Sequence, residues 1–541
     1  MNRRQFVGMV GVAALAGCDT PPAIEGGFTG IDLARGHAMR DRSLRGAAPD
    51  TVRRTRVVIA GGGVAGLAAA RALRLSGIDD FVMLELEDSA GGNSRGGRVG
   101  GIPCPLGAHY LPVPGDEASE VQDLLEELGL RRRVAGRWEY DERHLCHSPQ
   151  ERLFFQGAWQ DGLLPLQGAT AATIAQYRLF SQRVEALQHE AHFQIPMAKT
   201  AAAPALLALD AINFRAWLDR EGLDDPQLRW YLDYCCRDDY GAGLVQVSAW
   251  AGLHYFASRH GFHAPGDDNA ERDSVLTWPE GNGWLTRRLA EPLGERLKRA
   301  HVVTRIAEQR GGVEVDAFDA ATQTTVRWQA ERCIVALPVF IAARVVENPP
   351  EVLRNAAAHL RYAPWLVANV HIRAPLADAG HGAAPSWDNV IYGTRGLGYV
   401  DARHQALDPT PAATVLSWYR PLGPSGYDTG DGRRQLLDRP WTGWRDELLA
   451  ELSVPHPDLP TLAMRIDITR YGHAMAIPTP GLLSQIGLQR PSSGRRQLSN
   501  QEQASVVAGR LAFAHADWSG YSIFEEAFTR GHVAGSEAAT A

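Results

Sequence analysis

The stretch Arg-Val-Val-Ile-Ala-Gly-Gly-Gly-Val-Ala-Gly, residues 56–66, decides how this chain folds. Residues 56–60 form a short apolar, β-branched run that predicts a buried parallel strand. The glycine-rich loop 61–66 follows at once, and the Ala/Leu/Arg-rich residues 67–75 predict a helix. A Gly-x-Gly-x-x-Gly loop between a strand and a helix is the context in which this pattern binds a dinucleotide.

The positions of this loop have separate roles. Gly61 permits the tight turn, Gly63 lets the backbone approach a pyrophosphate, and Gly66 allows close packing of helix on strand. Ala65 belongs to the same loop, at the helix N-terminus that supplies N–H donors to the phosphates. A second apolar strand, residues 81–84, ends at Glu85. An acid about 20 residues beyond the glycines is expected to bind a ribose hydroxyl pair.

The composition is that of an ordinary globular protein. The chain has 541 residues, of which 45% are hydrophobic and 22% charged, so it fits neither a disordered chain nor a multi-span membrane protein. This length favours two domains or one long interrupted fold. A net charge of −7 argues against nucleic acid as a partner and mildly favours cationic ligands. Only Lys199 and Lys298 are lysines.

Two segments after the loop carry a family resemblance. Residues 89–95 read Ser-Ala-Gly-Gly-Asn-Ser-Arg, and residues 105–110 read Pro-Leu-Gly-Ala-His-Tyr. They resemble the flavin-containing amine oxidase and phytoene desaturase superfamily, which has Gly-Gly-Arg after the ribose acid and a Leu-Gly-Ala-like turn beside the flavin. Asn93 occupies the arginine position, so Arg95 or Arg98 is the candidate phosphate contact. The predicted cofactor-binding residues here are Gly91, Gly92, Arg95, Arg98, Gly107, Ala108 and His109.

Two further segments extend the resemblance through the middle of the chain. Residues 278–285, which include Trp284, resemble the stretch that opens the middle part of the family's FAD domain. Residues 302–306 and 333–338 resemble the strands that follow, where a valine backbone meets the adenine; Val303 is the candidate here. Trp284 and Val303 are therefore added to the predicted cofactor site.

The C-terminal part of the chain continues this resemblance to residue 541. Residues 511–517 resemble the family motif Phe-Ala-Gly-x-Glu/Asp, in which the acid bonds the ribityl chain and a helix N-terminus faces the isoalloxazine carbonyl edge. The resemblance assigns Asp517 to that acid and adds the neighbouring Ala516 to the cofactor site. His515 replaces the usual glycine. The cofactor implied by the whole match is FAD.

These landmarks predict the fold class α/β, with a discontinuous Rossmann-like FAD-binding domain and an interleaved α+β substrate domain. The FAD-binding domain is predicted to comprise residues 51–120, 272–345 and 482–541. The substrate domain is predicted to comprise residues 121–271 and 346–481.

The resemblance implies an FAD-dependent oxidoreductase in which a substrate carbon gives a hydride to flavin N5. Amine oxidation in the family is marked by a lysine that holds a water near N5, and no lysine stands in the corresponding strand, residues 362–370. Asn369 is the nearest polar candidate for that role, although a strand asparagine is more often structural. The acceptor implied by the resemblance is dioxygen or a quinone-like compound. The alternatives are a flavin-dependent desaturase or isomerase, and a non-catalytic FAD-stabilised partner protein.

A pair of aromatic rings flanks the amine in the family. Residues 518–521, Trp-Ser-Gly-Tyr, match a string that contains one of these rings, so Tyr521 or Phe524 is the candidate, and Tyr521 is also a predicted cofactor contact. The register places Ala474 at the second aromatic position, with His473 beside it. A neutral His473 is able to orient a substrate or act as a base, although a packed histidine is the commoner case.

The segment 234–241 suggests how a substrate is recognised. Its adjacent acids Asp238 and Asp239 are able to attract a cationic amine, so the predicted partner is a small-molecule substrate of that class. The alternative is a helix end with a solvated charge pair and a glycine cap. The spacing of His254, His260 and His263 fits no tight ligand set, and no metal is predicted.

The N-terminus resembles an export signal. Arg3-Arg4 followed by an apolar run resembles a twin-arginine signal over residues 1–17, and residues 15–18, Leu-Ala-Gly-Cys, resemble a bacterial lipobox in which Cys18 is lipidated. Residues 18–50 are predicted to be a tether without regular structure. The predicted location is the periplasm, with the inner membrane as a partner through the Cys18 anchor.

Overall fold

A computed structural model of the chain describes residues 23–41, 48–146, 150–190, 193–199, 204–259, 261–266, 274–406, 410–486 and 505–540. The predicted export signal and Cys18 lie outside these described residues. No helix in the described ranges is both long enough and apolar enough to span a membrane.

The elements are numbered here in chain order. The strands are β1 (Glu25–Thr29), β2 (Thr51–Ala60), β3 (Phe81–Leu84), β4 (Gly96–Val99), β5 (Ile102–Pro105), β6 (Tyr110–Pro112), β7 (Arg131–Val134), β8 (Arg137–Tyr140), β9 (Glu151–Phe155), β10 (Ala158–Asp161), β11 (Val275–Thr277), β12 (Leu297–Lys298), β13 (His301–Gln309), β14 (Gly312–Asp319), β15 (Thr324–Val335), β16 (Arg361–Ile372), β17 (Asp388–Ile391), β18 (Tyr399–Asp401), β19 (Thr414–Pro421), β20 (Ala463–Ile477), β21 (Val507–Ala508) and β22 (Leu511–Phe513).

The α-helices are α1 (Leu33–Arg40), α2 (Val64–Leu75), α3 (Ser119–Glu127), α4 (Ala171–Glu190), α5 (Pro204–Asp210), α6 (Phe214–Arg220), α7 (Pro226–Tyr240), α8 (Ala249–Ala257), α9 (Gly283–Ala290), α10 (Val339–Val345), α11 (Glu351–His359), α12 (Gly432–Asp438), α13 (Trp441–Leu452), α14 (Leu459–Leu462), α15 (Leu482–Gln485) and α16 (Phe524–Thr540). Short 3-10 turns lie at Gly92–Ser94, Met197–Lys199, Glu291–Arg296 and Ala516–Ser519.

The first sheet has the order β12-β3-β2-β15-β14-β13, and β22 pairs with β15. Strands β12, β3, β2, β15 and β22 run parallel, whereas β13 and β14 form an antiparallel meander with β15. The strand, glycine loop, helix and second strand predicted from residues 56–85 are confirmed as β2, α2 and β3. The strands of this sheet lie within residues 51–120, 272–345 and 482–541, although the domain limits themselves stay a prediction.

Helices α2 and α16 cover one face of this sheet and lie in close contact. A side chain at Gly531 would place its Cβ 2.0 Å from the carbonyl oxygen of Ala65, and one at Gly535 would lie 2.5 Å from that of Ala69. Only glycine lets the two backbones approach so closely. The closing helix therefore packs against the helix that follows the glycine loop.

The second sheet has the order β1-β20-β16-β19-β18-β17-β9-β10. Apart from β1, its strands lie within residues 121–271 and 346–481. Helices α4, α6, α7 and α8 pack over one face in a large cluster of buried aromatic and aliphatic residues, and a separate cluster with Trp418 and Trp444 covers the other face. The predicted α/β class with an interleaved α+β domain is confirmed.

The prediction that residues 18–50 lack regular structure is wrong for part of that range. Residues 25–29 form β1, which runs parallel to β20 with Phe28 opposite Ile468, and residues 33–40 form α1. Asp32 caps α1 by accepting a hydrogen bond from the Arg35 N–H at 3.0 Å. The strand exists because it pairs with a distant edge of the second sheet, which local composition does not encode.

Candidate active site

The glycine loop leaves helix α2 open to an anion. Gly63 is the N-cap residue, and no side chain caps the first-turn N–H groups. A Cβ at Gly63 would have the Cα of Gly92, at 3.9 Å, as its nearest neighbour, so there is open space above the loop. A Cβ at Gly66, in contrast, would lie 2.0 Å from the Gly61 carbonyl oxygen. Free N–H donors beside open space fit a pyrophosphate.

Glu85 is buried at the end of β3, and its carboxylate is held by the backbone. Its Oε2 accepts the Gly62 N–H and its Oε1 accepts the Glu87 N–H, both at 2.8 Å. Burial raises the pKa of Glu85 to about 7. Each oxygen keeps a lone pair, which suits ribose hydroxyls. The His301 N–H donates to the Glu85 carbonyl at 2.8 Å, so β13, with Val303 two residues further on, begins beside this acid.

The candidate arginines differ in their placement. Arg95 is buried, donates from Nε to the Gly92 carbonyl at 3.2 Å and lies 3.7 Å from Glu87, so it borders the loop. Arg98 is exposed on the β4–β5 hairpin and donates to the Gly101 carbonyl at 2.8 Å. This placement does not support Arg98 as a phosphate contact, because the hairpin turns its side chain to solvent.

Gly91 and Gly92 close the loop from the opposite side. The Gly91 N–H donates to the Gly62 carbonyl at 2.8 Å, and Gly91 forms an isolated parallel bridge with Gly63. Both Gly91 and Gly92 have positive φ, at 127° and 57°, which favours glycine. Gly62 and Gly63 on one side, and Gly91 and Gly92 on the other, therefore form one continuous backbone cradle.

The turn at residues 105–108 is held by hydrogen bonds to Asn93 and from Tyr419. The Ala108 N–H donates to the Asn93 carbonyl at 2.8 Å, and the Tyr419 hydroxyl donates to the Gly107 carbonyl at 3.0 Å. A Cβ at Gly107 would lie 2.1 Å from the Asn93 carbonyl oxygen. Asn93 in turn donates from Nδ2 to the carbonyl of Ala474, at 2.8 Å. The Leu-Gly-Ala turn is thus rigidly placed between the cradle and the second sheet.

Asn369 holds the same turn from the side of the second sheet. It lies on β16, is fully buried, and donates from Nδ2 to the Pro105 carbonyl at 3.0 Å. Its Oδ1 accepts the Ser417 hydroxyl at 2.6 Å. The prediction that Asn369 holds a water beside the reacting centre is therefore not supported, because both ends of its amide are bound to protein.

Asp517 lies in the short turn before α16, next to the buried Ala516. Its Oδ2 accepts the Val339 N–H at 2.9 Å and the Tyr362 hydroxyl at 2.6 Å, and His515 Nδ1 lies 3.1 Å from its other oxygen. Burial alone would raise the pKa of Asp517, but His515 and the two donors outweigh it and lower that pKa. The acid is thus an ionised, oriented acceptor, as its predicted ribityl role needs.

His473 lies close to this acid. Its ring stacks on Phe340 with centroids 4.1 Å apart and meets Tyr362 edge-on at 5.7 Å. Partial burial, followed by the charges of Arg433 and Arg344, lowers the pKa of His473 to about 4, so the ring is neutral at pH 7. Its predicted role as an orienting group or base stays a prediction.

The two candidate wall aromatics, Tyr521 and Phe524, lie in different surroundings. The buried Tyr521 donates its hydroxyl to Asp239 at 2.5 Å and accepts from Arg259 at 2.7 Å. Phe524 stacks on Phe528 at 5.6 Å and packs with residues of α2 in the core of the first domain. Phe524 is therefore a core residue, and Tyr521 acts on the cavity through Arg259.

Trp284 lies in the first turn of α9. Its ring stacks on Trp278 with centroids 5.2 Å apart, and the Arg288 guanidinium lies 3.2 Å from its centroid. Protein packing alone accounts for the position of the Trp284 ring, and its role in cofactor binding stays a prediction.

A cavity of about 440 Å³ begins at His109 and runs between the second sheet and helices α7 and α8. Burial lowers the pKa of His109 to about 3, so its ring is neutral, and the ring lies 5.4 Å from Trp387 and 4.4 Å from Tyr419. The aromatic side chains that line the cavity are Tyr110, Tyr231, Tyr234, Tyr255, Phe256, Phe262 and Trp387. His109 thus links the predicted flavin turn to a cavity lined by aromatic side chains.

The cavity is acidic. Glu151, Asp161, Asp238 and Asp388 line it, with one arginine, Arg259, among the described lining residues. Arg259 is engaged by Asp239 at 3.1 Å as well as by Tyr521. The acidic side chains therefore set the charge that a ligand meets.

Asp238 contributes to this acidic wall from helix α7. It is enclosed by protein and opens onto the cavity, and within the described parts of the chain its carboxylate has no hydrogen-bond partner. Burial, followed by the charge of Asp239, raises the pKa of Asp238 to about 7. The sequence pointed to Asp238 but not to Glu151 or Asp388, each of which begins a short apolar strand. An acid at the first position of a strand is a weak signal of a binding site, because many strands begin with an acid.

Neither lysine lies at the turn or the cavity. Lys199 forms an ion pair with Glu120 at 2.9 Å beside α3, and Lys298 lies on β12, opposite Leu84 at the edge of the first sheet. The described ranges contain no group of three or more His, Cys, Asp or Glu side chains placed to hold a metal ion.

Solved structures of similar fold include two enzymes of different chemistry. Putrescine oxidase bound to putrescine aligns with a TM-score of 0.65 at 18% identity, over 90% of this chain and 99% of that one. A fatty acid isomerase from P. acnes aligns with a TM-score of 0.60 at 15% identity, over 90% of this chain and 98% of that one. At these identities the likeness shows the fold alone.

Curated relatives are more similar in sequence. Polyamine oxidase 4 of Oryza sativa subsp. japonica is 27% identical over 310 residues, which is 54% of each protein. An L-amino acid dehydrogenase of Synechocystis is 27% identical over 313 residues, 54% of this chain and 58% of that protein. The chain thus matches little more than half the length of these relatives.

A sequence profile described as flavin containing amine oxidoreductase matches residues 64–415, well over half of the chain. The match runs from the first turn of α2 to β19 and takes in the turn at 105–108 and most of the cavity residues. The protein belongs to the flavin-containing amine oxidoreductase family, and its cofactor is FAD.

Proposed function

We propose that this protein oxidises a cationic amine, with dioxygen or a quinone-like compound as the final acceptor. The observation that carries the proposal is the unpartnered, enclosed carboxylate of Asp238 in an aromatic cavity that begins at His109. When bound, FAD supplies the two-electron acceptor for the hydride that leaves the carbon next to nitrogen. The bound ammonium group loses one proton to solvent before the hydride leaves, so the organic product is a protonated imine, and the acceptor takes up the two electrons.

The side chains of the cavity would act by binding and by excluding water. The ring faces of Tyr231, Tyr234 and Tyr255 favour a cation and an alkyl chain, and Asp238 supplies the opposite charge. Breaking an enclosed charge pair by removing one partner is costly, so Asp238 is expected to contribute strongly to binding. Arg259 does not compete for the carboxylate directly, since Asp239 and Tyr521 hold it.

The cofactor site would be held by backbone and acid together. The loop at Gly63 and the N-terminus of α2 would bind the pyrophosphate, Glu85 the ribose, and Asp517 the ribityl chain. These assignments rest on the open space above Gly63 and on the buried, oriented carboxylates.

A panel of amines under anaerobic conditions tests the proposal. Bleaching of the flavin absorbance by a primary or secondary amine is the expected result. Asp238→Asn should weaken the apparent affinity for that amine by about tenfold or more. Glu185→Gln, which removes one exposed charge from α4, is the matched control and should leave the affinity unchanged. If no amine bleaches the flavin, the amine assignment fails.

The identity of the acceptor is tested by admitting air to the reduced enzyme. The family's lysine is absent from β16, which favours an acceptor other than dioxygen. Slow reoxidation in air with fast reoxidation by a quinone would support a dehydrogenase. Product formation with no net flavin reduction would instead support the isomerase alternative.

We also propose that the protein is exported folded and held at the periplasmic face of the inner membrane by a lipid on Cys18. The support is the arginine pair Arg3-Arg4, the short apolar run and the lipobox-like residues 15–18. Replacement of both arginines by lysine should retain the protein in the cytoplasm, and Cys18→Ala should release it from the membrane fraction. Membrane association that survives Cys18→Ala would contradict the anchor.

A further inference from the structure

The segment of residues 25–40, called here the N-terminal strap, joins the two sheets of the molecule. Strand β1 adds to the edge of the second sheet beside β20 over residues 25–29. The chain then bends at Gly30, where φ is 84°. Helix α1 follows and packs against the first sheet, where Met39 is buried in the cluster that contains Val303 of β13. The strap therefore contacts both sheets.

The pairing of β1 with β20 depends on one glycine. Gly26 has φ of 139°, and a Cβ there would lie 1.8 Å from the Ile466 carbonyl oxygen. At Gly27, in contrast, no atom of the described residues lies within 4 Å of an added Cβ. Phe28 packs against the Arg470 guanidinium, which lies 3.7 Å from the centre of its ring. A side chain at Gly26 would therefore displace β1, whereas one at Gly27 would not.

The strap holds a side chain that borders the cofactor cradle. The Gly30 carbonyl accepts a hydrogen bond from Nη2 of Arg95. The same guanidinium donates from Nε to the carbonyl of Gly92 at 3.2 Å, and the Arg95 side chain is buried. Gly92 belongs to the cradle opposite Gly63. The strap thus helps to fix Arg95 at the edge of the predicted pyrophosphate position.

The strap also binds residues next to the predicted ribose acid. The Asp32 N–H lies 3.3 and 3.2 Å from the two carboxylate oxygens of Glu87. The Glu87 N–H in turn donates to Glu85 Oε1 at 2.8 Å. Arg35 adds a hydrogen bond from Nη1 to the Leu86 carbonyl at 3.2 Å. The strap is therefore bonded to the two residues that directly follow Glu85.

These contacts converge on one half of the predicted cofactor site. Arg95 borders the phosphate position, Glu85 is the candidate ribose acid, and Val303 is the candidate at the adenine. A strand that only completed the edge of the second sheet would need its ladder with β20 and none of these bonds. Because FAD would contact the same groups that the strap fixes, strap closure and FAD binding are expected to stabilise each other.

We infer that the N-terminal strap clasps the adenosine diphosphate half of FAD, and that its closure on Arg95 and Glu87 keeps the cofactor from leaving. Gly30 and Asp32 are positioning residues, because they act through Arg95 and Glu87. The inference goes beyond the proposed amine oxidation, since cofactor retention does not depend on the substrate.

The variants Gly26→Ala and Gly27→Ala test the clasp in the FAD-loaded full chain. Both add one methyl group to β1, but only the first is expected to displace the strand and, with it, the Gly30 carbonyl. The rate of FAD release is followed by flavin fluorescence after dilution. Gly26→Ala should release FAD about tenfold or more faster than wild type, and Gly27→Ala should stay within about twofold of it. Equal release rates in all three proteins would overturn the inference.

Thermal unfolding separates a clasp from an edge strand that has no part in FAD binding. FAD raises the unfolding midpoint according to its affinity for the folded chain. A clasp predicts that this rise is smaller in Gly26→Ala than in wild type or Gly27→Ala. If Gly26→Ala instead lowers the midpoint equally with and without FAD, the strap is only structural and the inference is wrong.

Hydrogen exchange of the wild type tests the same link without a substitution. Because coupling is reciprocal, a strap that retains FAD must itself be protected by FAD. The amides of residues 25–40 should exchange about tenfold or more slowly in the FAD-loaded chain than in the FAD-free chain. Helix α4, residues 171–190, is the reference and should exchange equally in both forms.

Two results of the exchange experiment would contradict the clasp. One is equal exchange of residues 25–40 in both forms while the loop 61–66 is protected by FAD. The other is equal protection of the strap and of helix α4, which would show a general effect of FAD on the fold. The wild-type comparison decides the matter if Gly26→Ala does not fold.

Discussion

Asn369 Nδ2 donates a hydrogen bond to the carbonyl oxygen of Pro105 at 3.0 Å, which joins the centre of the second sheet to the turn beside the cofactor site. Because the Asn369 side chain is fully buried and Ser417 binds its other end, it acts as a brace. Asn369→Leu should therefore lower the free energy of unfolding by about 1–3 kcal/mol, since two buried polar groups lose their partner. Chemical unfolding of wild type and variant measures this loss.

The Asn369→Leu variant also distinguishes a bracing role of Asn369 from the water-holding role that the sequence suggested. A brace predicts weaker FAD retention along with lower stability, because the turn at 105–108 loosens. Ser417→Ala is the control, since it removes the partner of Asn369 Oδ1 and keeps the bond to Pro105. A lower turnover number with unchanged stability and FAD content would contradict the brace and favour a water-holding role.

Addition of a methyl group should have different effects at Gly66 and at Gly63 of the glycine loop. A Cβ at Gly66 would lie 2.0 Å from the Gly61 carbonyl oxygen, so Gly66→Ala should destabilise even the FAD-free protein, by about 1–3 kcal/mol. Gly63 has φ of −72°, which any residue adopts, and its nearest neighbour would be 3.9 Å away. Gly63→Ala should keep the apoprotein stability and lose FAD affinity by about tenfold or more.

Thermal unfolding of the apoproteins and fluorescence titration with FAD measure the two effects. Both variants add the same methyl group to the same loop, so each is the control for the other. An FAD affinity of Gly63→Ala equal to that of the wild type would show that the space above Gly63 is not the phosphate site.

Local sequence predicted the parts of the fold in which neighbours along the chain make the structure. The strand, glycine loop and helix around Gly63 follow from an uninterrupted pattern, and Glu85 follows from its spacing. Asn369 was placed on the right strand, but its role depended on Pro105, which is far away in sequence. The side-by-side placement of Glu151 and Asp388 was not predictable for the same reason, since it requires knowing that β9 pairs with β17.

Aromatic residues near the C-terminus show a second limit of sequence reasoning. Tyr521 and Phe524 are separated by two residues and both were candidates for the cavity wall. The turn before α16 directs Tyr521 towards Asp239 and Arg259, whereas Phe524 begins the helix and faces the core of the first domain. Which way each ring points depends on how α16 packs on α2, a contact set by Gly531.

This difference predicts that two conservative variants have similar effects on stability and different effects on the KM for an amine. Tyr521→Phe keeps the ring but leaves Asp239 and Arg259 without their shared hydroxyl, so it should cost about 1–3 kcal/mol of stability and raise the KM for an amine. Phe524→Leu should cost a similar amount through lost packing and leave that KM unchanged. Steady-state kinetics beside chemical unfolding measures both. A KM that rises in Phe524→Leu alone would place Phe524, not Tyr521, at the cavity.

Amine binding should strengthen as pH rises through about 7, because the folded, ligand-free protein holds the pKa of Asp238 near that value. Burial is the main cause; Asp239 and Glu151 raise this pKa further, and Arg259 and Arg237 oppose them. Below pH 7 the side chain is neutral and offers no charge to an ammonium group, whereas above it the carboxylate is ionised.

Since the folded pKa lies above the ordinary value of 3.8, the ligand-free fold should lose stability as pH rises through about 7. Asp238→Asn should therefore unfold at a higher temperature than wild type at pH 8 and show no gain in amine affinity between pH 6 and 8. An unchanged pH dependence in this variant would assign the titration to another group of the protein instead.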